Sequence, residues 1–184
     1  MSVNAPINQL NWQAPNFNLK SIDDNYYDLN QLIGKKGTVI AFICNHCPYV
    51  VKIASRLAYE AEELKKIDIS TIAIMSNDVD SYPEDSFENM KIFSKKYNFN
   101  FQYLYDYSQI TAKNYKAVCT PDIYGFNANK ILKYRGRIDS AVSGDNKNIK
   151  RELFCAMELI ANTNEGPKEQ FNSFGCSIKW KNNE

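Results

Sequence analysis

Residues 38–43 are apolar without a break after the first position and rich in β-branched side chains, as expected of a strand buried on both faces. From Pro48 onward, Val50, Ile53, Ala54, Leu57, Ala58, Ala61 and Leu64 recur at three-and-four spacing, which predicts a helix to residue 66. Residues 67–75 alternate and read as a second central strand, closed by the polar Ser76-Asn77-Asp78. Upstream, residues 16–33 carry short alternating runs around the turn Asp23-Asp24-Asn25, the pattern of a hairpin, and Gly34-Lys35-Lys36-Gly37 separates them from the first strand.

Downstream, Ser81-Tyr82-Pro83-Glu84 has capping-box spacing and predicts a helix whose buried stripe is Phe87, Met90, Phe93 and Tyr97. Residues 101–105 read as a short strand and 108–116 as a short helix. Residues 121–126 and 130–137 flank Asn127-Ala128-Asn129 as a hairpin. A last helix over 147–161 places Ile149, Leu153, Ala156, Met157 and Ile160 on one face. Strands alternating with helices, then a hairpin and a helix, predict an α/β fold: a mixed central sheet flanked by helices, with an N-terminal hairpin extension.

The chain has 184 residues, enough for one compact core and short for two, so a single domain over 1–184 is expected. Its 22 Lys+Arg nearly cancel its 21 Asp+Glu, which leaves no basic field for nucleic acid or an anionic membrane surface. The N-terminus lacks a charged start followed by an apolar stretch, and no span of membrane length follows, so a cytoplasmic protein is expected. A reducing compartment keeps structural disulfides open. The five cysteines, at 44, 47, 119, 155 and 176, are therefore weighed for chemistry.

Cys44-Asn45-His46-Cys47-Pro48 falls where the first strand hands over to the first long helix. Two thiols at that spacing can be a redox couple, part of a metal site or packed side chains. Structural zinc needs about four ligands at paired spacings, whereas here one pair is followed by scattered single cysteines and no second histidine. Inert thiols do not require a strand-to-helix junction. A redox couple does: the helix N-terminus favours a solvent-accessible thiolate at Cys44, and Cys47, one turn on, can resolve a mixed disulfide there. His46, the single histidine of the chain, would lower the Cys44 pKa further.

With these residues the sequence resembles the thioredoxin superfamily, in the branch shared by peroxiredoxin-like and TlpA-like redoxins. Ala117-Val118-Cys119-Thr120-Pro121-Asp122 lies where that family has its cis-proline loop, and Arg135-Gly136-Arg137-Ile138-Asp139 resembles the strand that follows. The match spans about residues 14–162, leaving 163–184 as a tail whose Gly175-Cys176-Ser177-Ile178-Lys179-Trp180 resembles a peroxiredoxin-like subgroup. The resemblance implies a thioredoxin-like sheet of four or five strands, a cis bond at Pro121 packed against the dithiol, and a substrate peptide paired with the backbone at Thr120 and Pro121.

Two departures shape the functional expectation. Peroxiredoxins carry Pro-x-x-x-Thr-x-x-Cys, but counting back from Cys47 finds Cys44 and Ile40, and from Cys44 finds Ala41 and Gly37. Thioredoxins have Trp before the first cysteine and a buried Asp on the preceding strand, where this chain has Ile43 and Thr38. Asp78 is a candidate proton acceptor for Cys47, against the plainer reading of a loop carboxylate. Cys155, in a largely apolar helix, is expected to be a small buried hydrophobe. Cys119 is expected to be a packed strand-end thiol within approach of the dithiol, and Cys176 a more accessible thiol. The expected activity is thiol–disulfide exchange on a disulfide-bearing protein or small thiol, with an external thiol reductant and no cofactor or metal. A thiol-dependent peroxidase and a non-catalytic module holding Cu(I) are the alternatives.

Overall fold

β4 (Gly37–Phe42) is buried along its whole length and lies in the interior of a seven-stranded mixed sheet. The computed structural model describes residues 2–6, 10–141 and 149–181. Ahead of β4 come β1 (Ser2–Asn4), β2 (Asn18–Ser21), β3 (Tyr26–Asp28) and the one-turn α1 (Leu29–Leu32). After it come α2 (Pro48–Lys65), β5 (Ile69–Met75), a 3₁₀ turn at Pro83–Asp85, α3 (Phe87–Lys96), β6 (Gln102–Tyr105) and α4 (Ile110–Asn114). The chain then forms β7 (Cys119–Thr120), β8 (Asp122–Asn127), β9 (Leu132–Gly136), α5 (Glu152–Thr163) and β10 (Phe174–Ser177).

The large sheet runs β3-β2-β6-β5-β4-β8-β9. β4–β5 and β5–β6 are parallel, whereas β8, β9, β2 and β3 join antiparallel. The hairpin read in residues 16–33 is β2–β3, and its docking on β6 widens the sheet beyond the expected four or five strands. Alternation along β4 feeds two cores. Val39 and Ala41 pack with α2 and α5 through Val50, Ala54, Leu57, Leu153, Ala156, Met157 and Ile160. Ile40 and Phe42 pack on the opposite face with Leu104, Ala112, Tyr115 and Tyr124.

Three local expectations change. α3 begins at Phe87 and is capped by Ser86, whose side chain accepts from the Asn89 N–H, because Pro83 starts a separate 3₁₀ turn instead of the helix itself. α5 begins at Glu152, and the start expected at residue 147 lies outside the described residues. Cys155 is exposed, not buried: the inward stripe of α5 is Leu153, Ala156, Met157 and Ile160, and helical periodicity turns Cys155 away from it. Among the described residues, no helix is long and apolar enough to cross a membrane.

A second sheet, β1-β10-β7, joins strands near the two chain ends, β1 and β10, to the internal β7. β10 pairs antiparallel with β7, Cys176 opposite Thr120 and Ser177 opposite Cys119. The tail is fastened further along: Ile178 N–H donates to Val118, and the Lys179 carbonyl accepts from Asp78 N–H and from Gln109 Nε2.

Candidate active site

α2 starts later than the cysteine spacing suggests. Its N-cap is Cys47, with extended backbone, and Pro48 occupies the first helical position. A proline there sacrifices no helical hydrogen bond, and it pushes the preceding residue out of the helical region, so the helix cannot extend back to Cys44. Cys44 therefore lies in the approach loop, and Cys47 takes the helix terminus.

Both cysteines are fully buried, which corrects the expectation of a solvent-accessible Cys44. They converge on one residue. The Thr120–Pro121 peptide is cis; Cys44 Sγ lies 3.3 Å from Thr120 Oγ1 and Cys47 Sγ lies 3.1 Å from the Thr120 carbonyl oxygen. The expected substrate edge is filled, since the backbone of β7 is already paired with the chain's own β10.

The two sulfurs differ in what surrounds them. The neighbouring Cys47, burial and the Asp85 carboxylate together push the Cys44 pKa well above the usual thiol range. At Cys47 the neighbouring Cys44 opposes the burial penalty and, with Cys176 and the first turn of α2, draws the pKa far below the usual range. The Thr120 carbonyl accepts from the Cys47 thiol at 3.1 Å. The electrostatic balance nevertheless favours the thiolate at Cys47, opposite to the Cys44 thiolate expected from the spacing.

The carboxylate of the site is Asp85, which sequence reasoning missed. It is fully buried in the 3₁₀ turn and accepts from the N–H groups of Asn45 (2.7 Å) and His46 (3.3 Å) and from Asn77 Nδ2 (2.7 Å). Its Oδ2 also lies 2.8 Å from His46 Nδ1. Burial pushes the Asp85 carboxyl up, but the bonds from His46, Asn77 and Asn45 more than offset this and leave it below its ordinary range. Asp85 in turn raises His46 above its ordinary 6.5 against the effect of burial, and the imidazole stacks on Tyr82 at 5.6 Å.

Asp78, the sequence candidate for the proton acceptor, is a loop carboxylate instead: its Oδ1 accepts from Asp80 N–H at 3.2 Å within the turn that follows β5. Cys119 is buried in β7 with its thiol toward the Pro121 carbonyl, and burial raises its pKa far out of the reactive range. Cys176 is half-buried and packs against the core cluster containing both Cys44 and Cys47. Cys44, His46 and Asp85 bring three potential metal-ligand atoms within 4.8 Å of one another. The Asp85 oxygens are already committed to four donors, so a cation there would displace bonds that hold the loop.

A search of curated proteins finds no match to the chain. Among solved structures, an uncharacterized conserved protein from Geobacillus kaustophilus is 37% identical, with a TM-score of 0.94 and coverage of 100% of this chain and 98% of that one. A hypothetical protein from Sinorhizobium meliloti 1021 is 32% identical, with a TM-score of 0.91 and coverage of 98% of each chain. A secreted disulfide oxidoreductase from Mycobacterium tuberculosis shares the fold at 19% identity, with a TM-score of 0.58 over 77% of this chain and 94% of that one. The AhpC/TSA family model matches residues 10–138, well over half of the chain. With its mixed thioredoxin-like sheet and a dithiol against a cis-proline loop, the chain belongs to the AhpC/TSA family.

Proposed function

We propose that this redoxin is a thiol–disulfide oxidoreductase whose electrons are carried by Cys44 and Cys47. The observation that supports it is the convergence of both sulfurs on Thr120 beside a cis-proline, at 3.3 and 3.1 Å. The Cys47 thiolate attacks one sulfur of a substrate disulfide, and the first substrate thiolate leaves. Cys44 then passes its proton to that leaving group and attacks Cys47, releasing the second substrate thiolate. Two electrons reach the substrate, and an external thiol reductant then reduces the Cys44–Cys47 disulfide back to the dithiol in a reducing cytoplasm. The dithiol itself carries both electrons, so the exchange needs no cofactor. The attacking thiol is Cys47, the reverse of the order the spacing suggests, because the helix terminus and the donors gather there.

A second reading, thiol-dependent peroxide reduction, is favoured by the Thr120 hydroxyl beside Cys44, which supplies a hydroxyl that Ile40, Ala41 and Gly37 do not. One experiment separates the two. Reduced protein is mixed with a disulfide-bonded protein or with hydrogen peroxide, and formation of the Cys44–Cys47 disulfide is followed. Exchange is expected to be the faster route, and the double variant Cys44→Ser/Cys176→Ser, which leaves Cys47 without a neighbouring thiol, is expected to stall as a mixed disulfide on Cys47. Peroxide oxidation far faster than exchange, lost in Cys47→Ser, would make this a peroxidase.

A further inference from the structure

Cys47 has thiol neighbours on two sides. One is Cys44; the other is Cys176 on β10, which packs against the buried cluster that holds Cys44 and Cys47 and shifts the Cys47 pKa. The placement is built into the fold. Cys176 is the register partner of Thr120, the residue whose carbonyl lies 3.1 Å from Cys47 Sγ. Phe174, two residues earlier, sets its ring edge-on to Tyr49 of α2 at 5.0 Å. At Gly175 a Cβ would fall 2.0 Å from the Thr120 oxygen, so only glycine lets the tail come this close. Of the four cysteines around the cis-proline loop, Cys44, Cys47 and Cys119 are fully buried and Cys176 alone is partly exposed.

We propose that Cys176 is a third redox thiol, which displaces Cys44 from the Cys44–Cys47 disulfide and carries the oxidised bond toward the surface as Cys47–Cys176. The inference rests on the dithiol reading for its first disulfide. The Cys176 thiolate attacks Cys47 Sγ; the Cys44–Cys47 bond breaks, the Cys47–Cys176 bond forms, and Cys44 leaves as a thiolate that takes up the proton Cys176 gave. Nothing is oxidised or reduced on balance, so no further reactant is required.

Electrostatics times the step. Burial and the neighbouring Cys47 anion push Cys176 up to about 11 in the reduced protein. When Cys47 enters a disulfide the anion is gone, and that part of the upward push goes with it. The Cys176 thiolate is thus less disfavoured at the stage when there is a bond for it to attack. The product places one sulfur where an external thiol can meet it, whereas Cys44–Cys47 is shut in the core. The tail strand is then a relay between a sealed dithiol and its reductant.

The test maps disulfides by mass spectrometry after oxidation with oxidised glutathione and tryptic digestion without reductant. Cys44 and Cys47 share the peptide 37–52, and Cys176 lies in 169–179. The wild type is expected to give both an internal link in 37–52 and a cross-link between the two peptides. Cys44→Ser should give the cross-link alone in a monomer, and Cys176→Ser the internal link alone. Re-reduction of oxidised Cys176→Ser by dithiothreitol should be about tenfold slower than wild type or worse. A folded Cys44→Ser protein that keeps Cys176 free while Cys47 carries glutathione, or wild type and Cys176→Ser re-reduced at one rate, would overturn the relay. Absence of the internal link in Cys176→Ser would instead overturn the dithiol reading, so the two failures are distinct.

Discussion

Cys44 and Cys47 are the same chemical group three positions apart, and their difference comes from which partner donates and which accepts. Cys44, Cys176 and the first turn of α2 lower the Cys47 pKa, while Cys47, burial and the Asp85 charge raise that of Cys44. Thiolate absorbance at 240 nm should therefore persist well below neutral pH in the wild type. Cys44→Ala should move that transition upward, because the charged form loses its first donor. Absorbance retained in Cys47→Ala and lost in Cys44→Ala would reverse the assignment. The pair was legible from its spacing, but its polarity was not, since neither Cys176 nor Asp85 is near in sequence; Asp85 stands 40 residues from the Asn45 N–H it holds. Asp85 also gives the site a pH signature. Its own folded pKa lies below 3.8, so its contribution is present above that value and lost as pH falls through the lowered one. His46 lies above 6.5 when folded, so its contribution is full below 6.5 and lost as pH rises through the raised pKa. The stability gap between wild type and His46→Gln should thus be widest near pH 4–6.5 and close toward alkaline pH. Asp85→Ala, which strands several buried donors, should cost about 3–5 kcal/mol in denaturant melts.

At the scale of elements, legibility followed the source of each element's stability. β4 and β5 are buried on both faces, and α2 carries a long inward stripe ended by Pro48, so their composition alone located them within about two residues. α3 shows how a local signal misleads. Ser81 and Glu84 have the spacing of a capping box, but Ser86, five residues later, is the residue whose side chain accepts from Asn89. Ser86→Ala should cost about 1 kcal/mol of stability and Ser81→Ala close to nothing, and equal losses in thermal melts would restore the earlier start. Cys155 was misread because LFCAMELI is apolar almost throughout and so carries little periodicity; Leu153, Ala156, Met157 and Ile160 set the register when they meet the sheet. β10 was invisible for another reason. Its four residues pair with a two-residue β7 and with β1, and partners so short and so distant leave no pattern along the chain.

In the whole molecule, the C-terminal tail closes the dithiol. Cys44 and Cys47 have no solvent exposure, the edge of β7 is occupied by β10, and Asn77 links the site to the tail by donating to Asp85 and accepting from Lys179 N–H. Any reaction of the dithiol with a molecule from solution must therefore wait for β10 to separate from β7, and the rate reports the fraction of time it is open. Gly175 sets that fraction. An added Cβ would meet the Thr120 oxygen at 2.0 Å, the Thr120 carbonyl carbon at 2.5 Å and Pro121 N at 2.9 Å. All three are backbone atoms that cannot rotate aside, so the closed pairing must yield. Each 1.4 kcal/mol taken from the closed state multiplies the open fraction by about ten. Gly175→Ala should therefore speed alkylation of Cys47 by iodoacetamide at neutral pH by about tenfold or more. The large sheet should remain folded, because its two cores do not include Gly175. Alkylation at the wild-type rate in Gly175→Ala would show that reagents reach the dithiol by a path that leaves β10 in place.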